Sequence, residues 1–142
     1  MLQQALKRID SKLAVLRASI QKIRPSRSNM IKVSTNDPSG LLAAIKKAID
    51  DRKVVTWEYD KAGDFTHTPA QWHEKAWLRP SMAEGALLFG IVKRNDELLT
   101  DEYYAVYHGR FIEMLAAHFD ELFTVACATA KLQSPDVAKS KG

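Results

Sequence analysis

One cysteine, Cys127, is the whole thiol inventory of the chain, so no internal disulfide can form. Such sparing use suits a reducing compartment. Long apolar runs are equally scarce: the longest, Ala86 to Val92 with Gly90 inside, falls far short of the ~20 residues that span a bilayer. The opening Leu-Gln-Gln-Ala-Leu-Lys-Arg is amphipathic, unlike the apolar core of a secretory signal. The expectation is a cytoplasmic chain that engages no membrane. The six glycines are scattered and build neither Gly-x-Gly-x-x-Gly nor a Walker-type loop. Gly-x-Ser-x-Gly, Cys-x-x-Cys, His-Glu-x-x-His and His-x-Glu are all missing, which removes the nucleophile elbow and the common zinc spacings. No cofactor, no metal and no enzymatic activity are therefore expected.

Charge is plentiful but unevenly placed. Residues 1–33 carry eight basic groups against one acid, a local +7. Residues 34–130 carry ten basic groups against fifteen acids, a local −5, and three lysines against Asp136 make the end +2. The basic pI near 9.2 would suggest a nucleic-acid binder. Its basic charge lies at the ends, however, and the stretch expected to form the body of the fold is acidic.

Leu2, Leu6, Ile9, Leu13, Leu16, Ile20 and Ile23 alternate four and three residues apart up to Pro25. That is an a/d seam, so residues 1–24 are read as a basic, amphipathic, coiled-coil-like helix for oligomerisation. Proline ends it, because the ring disfavours helix at Arg24 and brings no N–H. An antiparallel homodimer crossing at Leu13 would set Asp10 near Arg17 twice, whereas a parallel one would face Lys12 with Arg17. Packing of the stripe onto the chain's own domain is the competing reading.

Residues 25–39 read as linker and turn, with residues 30–34 able to form a short strand. Residues 40–130 should form an acidic α+β domain, an antiparallel β-meander packed by two helices, and residues 131–142 a disordered tail. Asp37 or Ser39 can cap a helix ending near Arg52, followed by strands at Val54–Tyr59 and Phe65–His67. Thr68-Pro-Ala-Gln71 resembles a capping box opening a helical turn. A hairpin is expected from Ala76–Arg79 and Ala86–Lys93 around Pro80–Gly85. Tyr103–Tyr107 reads as a further strand, and Gly109 as the break before a last helix lined by Phe111, Ile112, Leu115, Phe119 and Leu122. Residues 123–130 then favour a last strand over helix.

The histidines are read as polar residues at element edges rather than as ligands, His67 and His73 with Glu74 adjacent included. Aromatics supply better material, since Tyr and Trp anchor interfaces at small entropic cost. Trp72, Arg79, Tyr103, Tyr104 and Tyr107 are the candidate protein-binding residues. Gly109 and Arg110 form a weaker candidate for anion binding, on the premise that a strand-to-helix turn there exposes backbone N–H groups. The function expected is a non-catalytic binding protein. Its acidic domain would engage a basic protein partner, as an inhibitor or immunity protein does, and its helix would self-associate into a homo-oligomer. Two alternatives stand beside it: a nucleic-acid-associated protein using residues 1–33, and a small enzyme with a site near His108 and Arg110.

Overall fold

The structure is a computed structural model and describes residues 30–130 and 138–141. The heptad seam from Leu2 to Ile23, the basic arm and residues 131–137 lie outside the described residues. Strands run at β1 (Met30–Ser34), β2 (Trp57–Tyr59), β3 (Phe65–His67), β4 (Ala76–Ala83), β5 (Ala86–Arg94), β6 (Val125–Ala128) and β7 (Ala138–Lys141), with helices α1 (Pro38–Asp50) and α2 (Asp101–His118). Six strands form an antiparallel sheet in the order β2-β3-β4-β5-β1-β6, while β7 joins β5 in parallel. This is the expected α+β class. Within the stretch read as a tail, Ala138 and Lys141 register with Val92 and Arg94 of β5.

Each helix starts at a side-chain cap. Asp37 accepts from the Gly40 amide at 3.0 Å ahead of α1, and Thr100 accepts from the Tyr103 amide at 3.1 Å ahead of α2. A Cβ at position 40 would stand 2.1 Å from the Asp37 carboxylate, so a larger residue there would push the capping side chain aside. One face of the sheet (Ile31, Val33, Leu78, Leu87, Phe89 and Ile91) meets Leu41 and Ile45 of α1 and Tyr104, Tyr107, Phe111 and Leu115 of α2 in a single core. Phe111 is its hub, edge-on to Trp57 and Phe89 at centroid distances of 4.9 and 4.6 Å.

Two expectations need correction. Tyr103–Tyr107 is helix, and Gly109 lies inside α2 rather than before it. Tyr104, Tyr107, His108, Phe111, Met114 and Leu115 are buried at helical spacing, and core packing on that period outweighs the strand preference of a tyrosine-rich run. The β4–β5 hairpin is also longer and tighter than expected. It extends through Pro80 to Ala83 and turns at Glu84-Gly85, with Gly85 at φ +71°. Proline is tolerated within β4 because β3 pairs with β4 at Leu78 alone, leaving Pro80 unflanked on that edge.

Candidate functional site

The segment 68–75 between β3 and β4 is where polar chemistry collects. Its turn is one helical loop, with the Trp72 and His73 amides both donating to the Pro69 carbonyl at 2.8 and 2.9 Å. The expected capping box does not form: Thr68 turns its hydroxyl to the Val55 carbonyl at 2.8 Å. Glu74 takes a left-handed backbone at φ +56°, and its amide donates to Thr66 Oγ1 at 2.9 Å. Tyr107 of α2 clamps the segment from beneath, its hydroxyl donating to the Trp72 carbonyl and lying 3.0 Å from Thr66 Oγ1. Burial pushes the Tyr107 phenol above its ordinary pKa, with the Thr66 bond opposing.

On the α2 side of this segment lies a cleft of about 420 Å³, lined by Thr56, His67, Pro69, Gln71, Trp72, Arg110, Glu113, Met114, Ala117 and His118. His67 is its buried member, 6% exposed, wedged against Trp57 at 4.6 Å and Tyr107 at 6.4 Å between centroids. Its Nδ1 sits 2.7 Å from the Thr56 carbonyl. A carbonyl only accepts, so Nδ1 carries the proton and Nε2 of the neutral ring holds a lone pair. Burial lowers the His67 pKa, the Thr56 bond raises it, and Arg110 and Glu113 pull in opposite directions. Arg110 and Glu113 are exposed and touch each other at 3.3 Å.

Towards the N-terminus of α2 the surface becomes acidic and aromatic. Trp72 and Tyr103, both half-buried, meet edge to face at 6.0 Å. Tyr103 reaches Glu97 at 3.5 Å, and Lys75 pairs with Glu97 at 2.9 Å. Leu98 is 83% exposed beside them in sequence, and Asp101 and Glu102 open the helix on its exposed side.

No family model, no curated protein and no solved structure matches the chain. Of the candidate protein-binding residues, Trp72 and Tyr103 come together at the surface. Tyr104 and Tyr107 are corrected to core positions, 3% and 0% exposed, because they occupy the inward stripe of α2. Arg79 lies elsewhere, its guanidinium held in two bonds of 3.0 and 2.9 Å by the fully buried Asp64 carboxylate. The anion site at Gly109 and Arg110 loses its premise, since both sit mid-helix where backbone amides are engaged in the helix. His108 and Arg110 likewise separate, one buried at 3% and the other exposed on the cleft.

A third cluster borders the same segment. Glu58 of β2, His73 and Glu74 place one ligand atom each within 4.8 Å of one another, and His73 Nε2 contacts Glu58 Oε1. An imidazole with two carboxylates is a donor set that could hold a divalent cation. His73 and Glu74 are visible as neighbours in the sequence; Glu58 joins them only through the pairing of β2 with β3. Among the described residues, no helix is long and apolar enough to cross a membrane.

Proposed function

We propose that the domain is a non-catalytic binding protein whose acidic, aromatic face engages a basic protein partner. The observation that carries this reading is the half-buried Trp72–Tyr103 pair, flanked by Glu97, Asp101, Glu102 and the 83% exposed Leu98. Aromatics that keep one side free bury area on docking at small entropic cost. Acids beside them steer a cationic surface into register and raise the association rate. The surplus of fifteen acids over ten bases in residues 34–130 supplies the longer-range field. The heptad seam from Leu2 to Ile23 is the self-association element in this reading.

The test is capture of a partner from native extract by the full chain, followed by purification of that partner and kinetics at low and high salt. The captured protein should have a Lys/Arg-rich surface. D101K/E102K should slow association about tenfold or more at low salt, and Leu98→Ala should speed dissociation, both without loss of folding. A partner that binds D101K/E102K and the parent chain equally, at any salt, would overturn the proposal.

A further inference from the structure

We propose that the cleft between segment 68–75 and α2 binds a small anionic molecule that also carries an O–H or N–H donor. Arg110 would hold the anion, His67 Nε2 would accept from the donor, and Trp72 and Met114 would cover the carbon frame. This inference shares Trp72 with the basic-partner reading but does not rest on it: that reading otherwise uses Glu97, Leu98, Asp101, Glu102 and Tyr103 at the N-terminal end of α2, none of which lines the cleft.

Four observations converge on it. The cleft, at about 420 Å³, has the size of small-molecule sites, roughly 300–1,000 Å³. His67 is a buried polar side chain whose Nδ1 is committed to the Thr56 carbonyl, so its second nitrogen faces the ligand question as an acceptor with a fixed tautomer. The ring is held by Trp57 and Tyr107 on neighbouring elements, so the acceptor is preorganised. Arg110 spends one N–H on Glu113 at 3.3 Å. Its remaining donors suit a carboxylate or phosphate, for which the planar guanidinium fork is shaped. Glu113 partly neutralises Arg110, which favours a ligand whose donor satisfies the acceptors while its anion competes for the guanidinium.

The probe is 4-hydroxybenzoate, which presents a carboxylate, a flat ring and a hydroxyl. It is compared with benzoate, which lacks the donor, and 4-hydroxybenzamide, which lacks the anion. Titration of the full chain by NMR should move the His67 ring, Trp72 indole and Arg110 side-chain signals together. Each control compound should bind about tenfold more weakly. Arg110→Gln, an exposed substitution, should weaken 4-hydroxybenzoate by about tenfold, and Glu113→Gln should tighten it by freeing the guanidinium. No cleft-localised shifts at millimolar probe, equal affinity for all three compounds, or undiminished binding by Arg110→Gln would each overturn the proposal.

Discussion

His67 and His108 begin alike and end differently. Each is buried, and each sets its Nδ1 2.7 Å from a backbone carbonyl, Thr56 for one and Tyr104 for the other. Burial lowers both pKa values, with the carbonyl bond opposing. The second nitrogen separates them. His67 lines an open cleft beside Arg110, whereas His108 Nε2 is enclosed with no hydrogen-bond partner among the described residues. A lone pair that reaches a cleft is available for recognition; a sealed one is a desolvation cost of roughly 1–3 kcal/mol. Two buried imidazoles thus differ in what surrounds the second nitrogen, a cleft-lining position at one site and packed neighbours at the other.

Trp57→Ala would break the comparison most severely. The indole is 1% exposed and packs on His67, Tyr107 and Phe111, so its removal should cost about 3–5 kcal/mol in urea unfolding and unseat the His67 ring. Leucine substitutions sharpen the contrast. His67→Leu loses the bond to Thr56 and should destabilise by about 1 kcal/mol. His108→Leu discards an unsatisfied acceptor along with its bond to Tyr104, and should be neutral or slightly stabilising by the same measurement.

The smallest effect is in pH. Because folding depresses both histidines below their ordinary value of 6.5, the unfolded chain binds protons first as pH falls. Their contribution to stability is therefore complete above about pH 6.5 and declines below it. It levels off once the folded rings protonate. His108→Leu should flatten part of that decline in a series of unfolding curves.

What could be read beforehand follows the range of the interaction. The Asp37 cap, the strand at 30–34, the strand within 123–130 and the acid surplus are local or additive properties, and all are legible. The stretch Tyr103–Tyr107 misleads because two signals coincide. Adjacent aromatics favour strand, while the inward stripe from Tyr104 to Leu115 has helical period. Gly109 looks like a boundary but sits on the exposed side of α2 with nothing within 4 Å, where a helix tolerates it at about 1 kcal/mol. The cleft was hidden for another reason. β3 is three residues long, too short for alternation to assign His67 to a face. The Glu58–His73–Glu74 cluster depends on strand pairing, which no local pattern encodes.

The most direct measurement is a long-range proton–nitrogen NMR spectrum of the imidazole rings near neutral pH. Both His67 and His108 should be neutral with the proton on Nδ1, and only His67 Nε2 should respond to 4-hydroxybenzoate. A His67 ring protonated on Nε2, or charged at neutral pH, would contradict the difference between the two sites on which the account stands.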